Sequence, residues 1–238
     1  MAVLEICAYN IQSALIAEQS GAHRVELCAS APEGGITASA GVLRIARAEL
    51  SIQLYPIIRP RGGDFLYDSH EWAIMKQDIL LCKSLGCEGI STGVQLADGH
   101  IDVDGMKRIA EWAYPMEVTC HRVFDSTPDA FKSLEELIDC GCERILTSGH
   151  APAAPEGAAL LAKLIEQAAG RIIIMPGAGV RASNIRALRD ATHAVEFHTS
   201  AKKLISSAVQ FQNPAIRDTG DVFEADGEEI KRILEELK

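Results

Sequence analysis

Two rhythms of apolar and polar positions run along this chain. Eight short apolar or β-branched runs recur at 3–8 (VLEICA), 24–29 (RVELCA), 53–60 (QLYPIIRP), 89–94 (GISTGV), 117–122 (EVTCHR), 143–148 (ERILTS), 171–176 (RIIIMP) and 194–200 (AVEFHTS). Their length and residue types predict strands. Between them apolar residues repeat at three- and four-residue spacing, as in NIQSALIAEQSG, WAIMKQDILLCKSLG and DAFKSLEELIDCG, which predicts helices. Asn10, Thr127 and Ser183 are the expected helix caps, and Gly21, Gly86, Gly141 and Gly170 the expected helix ends.

Strand starts lie 21 to 36 residues apart, room for one helix each time. Strict alternation of this kind predicts a parallel sheet covered by helices. Eight units in 238 residues favour a closed (β/α)8 barrel, an α/β TIM barrel, as a single domain over 1–238. A doubly wound open sheet would carry a glycine-rich turn after its first strand. The turn here reads CAYNIQS. The loop 59–71 (RPRGGDFLYDSHE) reads as a mobile flap over a site or as a solvated loop. Residues 202–226 read as an irregular segment before a charged terminal helix, and as a candidate surface for a second copy in a homodimer.

Strand alternation also raises a chemical question. Glu5 and Cys7 share one face of the first strand, and Leu4 and Ile6 the other; Glu26 and Cys28 repeat this on the second, opposite Val25 and Leu27. The apolar pairs should face the helices, which turns two carboxylates and two thiols into the barrel. An unpaired buried carboxylate costs several kcal/mol or shifts its pKa, so partners are required. The expected pairs are Glu26 with Arg59 and Glu5 with Arg61. Other strands end in Thr119-Cys120-His121-Arg122, Thr147-Ser148, Met175-Pro176-Gly177-Ala178-Gly179 and Glu196-Phe197-His198. Polar residues therefore gather at the carboxyl ends of the strands, where barrel active sites are built.

Charge and cysteine content narrow the function. A net charge of −10 disfavours a nucleic-acid surface, no apolar run is long enough for a membrane span, and the N-terminus has no signal-peptide pattern. Seven cysteines without a CxxC pair fit a reduced, cytoplasmic chain, with Cys82, Cys87, Cys140 and Cys142 as packed hydrophobes.

The stretches LEIC with Asn10, GAHRVELC, GGIT, IIRPRGGDF, MKQDI, DGHID, VTCHRVFD, ERILTSG, RIIIMPGAGV with Asn184, and EFHTSA together resemble the CutC family, named for copper homeostasis. They run in order from residue 4 to 201. GGITAS, VTCHRVFD and MPGAG depart from the family's usual GGLTPS, VTFHRAFD and MPGGG. The resemblance implies a (β/α)8 barrel, a cytoplasmic protein and Cu(I) binding through Cys7 and Cys28. Two soft thiolates suit Cu(I), and Met175 and His198 are candidate further ligands. Carboxylates beside the thiols are expected to disfavour thiolate, with Arg59 and Arg61 as counterweights. No organic cofactor is implied.

The alternative is an enzyme of isomerase or lyase type acting on a small anionic or phosphorylated molecule. Glu5, Glu26, His121, Glu196 and His198 would supply acid–base chemistry. Arg59, Arg61, Thr147, Ser148, Gly177 and Gly179 would hold the anion.

Overall fold

The computed structural model describes residues 2–211, 213, 215 and 220–238. Eight short strands carry the apolar runs: β1 (Val3–Ala8), β2 (Arg24–Leu27), β3 (Gln53–Pro56), β4 (Gly89–Thr92), β5 (Glu117–Cys120), β6 (Arg144–Thr147), β7 (Ile173–Pro176) and β8 (Glu196–Thr199). Helices follow in turn: α1 (Ile11–Gln19), α2 (Ala40–Glu49), α3 (Ser69–Leu85), α4 (Val103–Ala113), α5 (Ala130–Asp139), α6 (Ala158–Ala168), α7 (Ile185–Thr192) and α8 (Gly227–Glu236). The strands pair in parallel in the orders β3-β2-β1-β8 and β4-β5-β6-β7. An amide from Ile58 to the Ser91 carbonyl (2.7 Å) joins β3 to β4, and β7 lies beside β8, which closes the (β/α)8 barrel.

Outward-facing strand residues and inward-facing helix residues form the main apolar core. Leu4, Ile6, Val25, Leu27, Val118, Cys120, Ile145, Ile174 and Phe197 all belong to it. Cys82, Cys87, Cys140 and Cys142 pack there as well. Cys7 and Cys28 do not: with Ile57 they form a separate small cluster inside the barrel.

Side-chain caps set several helix starts. Asn10 Oδ1 accepts from Ser13 N (2.8 Å), and Asp68 makes a reciprocal capping box with Glu71. Two expected caps shift: Asp129 rather than Thr127 caps α5, and Asn184 rather than Ser183 precedes α7. Thr127 instead ends a short 3-10 turn, 122–126.

The segment 202–226 differs from the irregular chain expected. Its ends form an antiparallel pair, β9 (Lys202–Ile205) with β10 (Val222–Ala225). This hairpin docks on α1, where Asn10 Nδ2 donates to the Phe223 carbonyl (2.8 Å) and Ala225 N to Ser13 Oγ (3.1 Å). Residues 212, 214 and 216–219 of that segment lie outside the described residues. The loop read as a flap is pinned by its own arginines: Arg61 reaches Asp64 (2.9 Å), Glu71 (2.5 Å) and the Leu66 carbonyl (2.8 Å).

Candidate functional site

Strand register decides which charges meet inside the barrel. Glu5 stands level with Arg24 on β2 and with His198 on β8. Its carboxylate accepts from Arg24 Nε through one oxygen and meets His198 Nδ1 (2.7 Å) through the other. Arg24 also donates to Glu196 (2.5 Å), which accepts in turn from Arg144 Nε (2.6 Å). Arg144 reaches on to Thr119 (3.2 Å) and Glu117 (3.2 Å), and the Tyr55 hydroxyl donates to Glu117 (2.6 Å). The barrel's lower layer is thus an alternating chain of carboxylates and guanidinium groups.

That layer corrects two expected pairings. Glu5 is paired with Arg24, not Arg61. Glu26 is not paired with Arg59, whose guanidinium donates instead to the carbonyls of Glu33 (2.6 Å), Gly35 (3.0 Å) and Gly63 (2.7 Å). The reason is height. Glu26 stands level with Tyr55, and Arg59 lies four residues farther along. Met175, considered as a copper ligand, is engaged by Arg24, which points Nη2 at its sulfur (3.3 Å). Arg24 and Arg144 were missed by the sequence reading, as were their layer partners Tyr55 and Glu117 and the cavity residue Arg181. Arg24 and Arg144 each share strand parity with inward-facing residues, a signal that was present.

Above the ionic layer sit the thiols. The sulfurs of Cys7 and Cys28 are 3.6 Å apart, and Cys28 lies 3.5 Å from Glu26 Oε2. His198 Nε2 is 3.8 Å from the same oxygen. Ligand atoms of Cys7, Glu26 and His198 all fall within 4.8 Å of one another, and all three residues are buried. Glu26 Oε1 is buried and accepts no hydrogen bond. The Gly35 backbone lies across Cys28: a Cβ there would come within 3.2 Å of its sulfur, and its φ of +103° suits glycine.

The electrostatics of the group follow from these contacts. Burial disfavours a charge on Glu5, but Arg24 and His198 outweigh it and hold the carboxyl at about 2. Burial also works against charge on His198, yet Cys7, Glu26 and Glu5 raise it well above the usual imidazole range. The Cys28 thiol hydrogen-bonded to Cys7, with His198 beside it, holds Cys7 well below the usual thiol range despite burial. Cys28, giving that hydrogen bond and buried itself, is raised. The two thiols are thus shifted in opposite directions, Cys7 towards its thiolate and Cys28 towards its thiol. Burial and the Cys7 charge push Glu26 up to about 8. Beside the thiols the positive counterweight is therefore His198, not Arg59 or Arg61.

A cavity of about 240 Å³ opens above this group. Cys7, Glu26 and His198 lie on one side of it, and Arg59, Phe65, His121, Arg122 and Arg181 on the others. His121 Nδ1 accepts from Val123 N (3.2 Å), and burial with the Arg59 charge lowers its imidazole to about 3, so it is neutral. Of the expected anion-binding residues, Arg59 and Gly179 line the cavity. Arg61 is turned into its own loop. Thr147 and Ser148 are taken up by Asp125, to which Thr147 donates from Oγ1 and Ser148 from its amide (3.0 Å) and Oγ (3.0 Å). The Gly177 amide donates to the Thr147 carbonyl (2.9 Å). Glu5 and Glu196 lie in the ionic layer beneath.

The sequence matches the CutC family over residues 2–203. A CutC relative from Chromobacterium violaceum is 49% identical over 90% of this chain and 87% of its own. One from Parabacteroides distasonis is 47% identical over 99% of this chain and 98% of its own. The solved structure of a CutC protein from Streptococcus agalactiae superposes with a TM-score of 0.81 at 32% identity, covering 84% of this chain and 99% of that one. Phosphoribosylanthranilate isomerase from Thermotoga maritima shares the barrel fold, with a TM-score of 0.59 at 14% identity, over 99% of this chain and 98% of that one.

Proposed function

The chain belongs to the CutC copper homeostasis family, and on that premise we propose that it binds Cu(I) through Cys7 and Cys28. The observation that carries this reading is the thiol pair itself, with sulfurs 3.6 Å apart beneath a cavity lined by Cys7. Soft sulfur donors select Cu(I) over harder first-row ions. The lowered Cys7 pKa favours its thiolate, and His198 beside it offsets that charge. Cu(I) bound by both sulfurs displaces the Cys28 proton, as deprotonation of metal-binding thiols requires.

We also propose a cytoplasmic location, in keeping with seven unpaired cysteines, and a homodimer. The hairpin leaves Leu204 and Val222 exposed, with Val209 and Phe211 beyond β9 exposed too, a strip that a second copy would cover.

The test is an anaerobic Cu(I) titration against a chromogenic chelator. Wild-type protein is expected to hold near one Cu(I) per chain, and the Cys7→Ser, Cys28→Ser double variant to lose it. Weak binding by wild type, or equal binding by the double variant, would reduce the pair to packing.

A further inference from the structure

The turn after β7 carries a pattern that the copper reading leaves unused. Three successive carbonyls are held by donors: Ala178 O by Ala154 N (2.9 Å), Gly179 O by Asn184 Nδ2 (2.9 Å) and Val180 O by Thr199 Oγ1 (2.8 Å). Asn184 also accepts from Arg181 N (2.9 Å), so both sides of its amide lock the turn. In a planar trans peptide the N–H points opposite to the C=O before it. The amides of Gly179 and Val180 therefore face away from the donors that hold Ala178 O and Gly179 O. Neither amide donates to any acceptor among the described residues. Val180 is 1% exposed, and a buried N–H without a partner is rare in folded proteins.

Both residues line the cavity described above, together with Ala178, Arg181 and Ser200. Ala178 holds φ +70°, a conformation that a residue with a Cβ rarely adopts, and such outliers gather at ligand sites. A second observation comes from the facing wall. Arg59 is 6% exposed and lines the same cavity, yet its charge meets three backbone carbonyls and the Phe65 ring (4.9 Å) and forms no salt bridge with a carboxylate. Arg181 forms no salt bridge within 4 Å among the described residues, although its charge helps hold the Glu229 carboxyl low. Unlike Arg122, which is paired with Asp125 (2.8 Å), Arg59 and Arg181 thus offer guanidinium groups to the upper cavity with no carboxylate in salt-bridge contact, beside the two backbone amides.

We propose that this wall binds the anionic end of a small organic molecule, a phosphate monoester or a carboxylate, on the Gly179 and Val180 amides and the Arg181 guanidinium, with the Ser200 hydroxyl beside them. Paired backbone amides next to arginine are a recurrent anion cradle. The cavity volume, about 240 Å³, equals roughly eight waters, which limits the partner to a small metabolite. Its far end would meet Cys7, Glu26 and His198. The subsite stands apart from the copper reading, because no group in it is a proposed copper ligand.

The experiment uses metal-free full-length protein in chloride buffer, titrated by calorimetry with inorganic phosphate and separately with acetate. Amide chemical shifts are followed by NMR in parallel. Saturable binding should weaken roughly tenfold or more in Arg181→Gln, the loss expected for a charged hydrogen bond. It should be unchanged in Arg61→Gln, which lies outside the cavity, and the Gly179 and Val180 amides should shift. Phosphate binding with these marks assigns the phosphate class; acetate binding with the same marks assigns the carboxylate class. No saturable binding of either probe overturns the proposal. So does binding indifferent to Arg181→Gln, or shifts that spare both amides. Copper titration of the same samples separates the two readings: anion binding without Cu(I) binding removes only the copper site, and the reverse removes only this subsite.

Discussion

Glu5 shows how one residue's surroundings turn burial into a stabilising feature. A carboxylate out of water survives because Arg24 and His198 take one oxygen each. Removing one partner of a buried pair costs about 3–5 kcal/mol, because the other charge is left uncompensated. Glu5→Gln should destabilise the fold by that order at pH 7, read by urea unfolding. Its folded pKa of about 2 lies below the ordinary 4.5, so its contribution is present above 4.5 and lost as pH falls through about 2. The deficit of the variant should shrink over that window. Glu26 has the opposite sign. Its folded pKa of about 8 lies above the ordinary 4.5, so stability from the protonated carboxyl is full below 4.5 and is lost as pH rises through about 8. Glu26→Gln, neutral at every pH, should abolish that loss and be more stable than wild type at pH 9. Equal pH profiles for the two proteins would contradict this account.

At the scale of elements, register explains both what was readable in the sequence and what was not. Alternation alone placed Glu5, Cys7, Glu26 and Cys28 inside and Leu4, Ile6, Val25 and Leu27 outside, because a period of two is a local property. Partners were not local. Which arginine meets Glu5 depends on how β1 aligns with β2, and the register puts Arg24 beside it while Arg59 and Arg61 lie beyond the strand ends. Arg24 and Arg144 begin their strands, where a charged residue reads as solvent-facing. The hairpin β9–β10 was missed for another reason: its partner strands are separated by a long stretch, so no short turn signal joins them. Its anchor on α1 is testable. Asn10→Ala removes both the α1 cap and the bond to Phe223 O, and should cost about 1–2 kcal/mol by urea unfolding. An unchanged midpoint would show that the hairpin docks without it.

Across the whole molecule, the barrel separates tasks by height. The lower layer is an ionic lattice that joins β1, β2, β5, β6 and β8 around the barrel axis. The thiols sit above it, and the cavity above them. The strand count made this architecture legible from sequence, since eight βα units leave few other closed arrangements. The layering was not legible, because it depends on strand stagger. One consequence reaches the whole protein. With Cys7 shifted towards thiolate and Cys28 towards thiol, Cu(I) capture by both sulfurs should release the Cys28 proton, so affinity should rise with pH, by about tenfold per unit where that proton is the only one exchanged. Calorimetry in buffers of different ionisation enthalpy reads the proton directly. Zero protons released would place Cu(I) elsewhere.

The central claim is that two sulfurs from adjacent strands hold the copper. X-ray absorption at the copper edge of Cu(I)-loaded protein tests it most directly. The account predicts two sulfur scatterers in wild type and one in Cys28→Ser. A shell of nitrogen and oxygen alone, or one unchanged by Cys28→Ser, would contradict it.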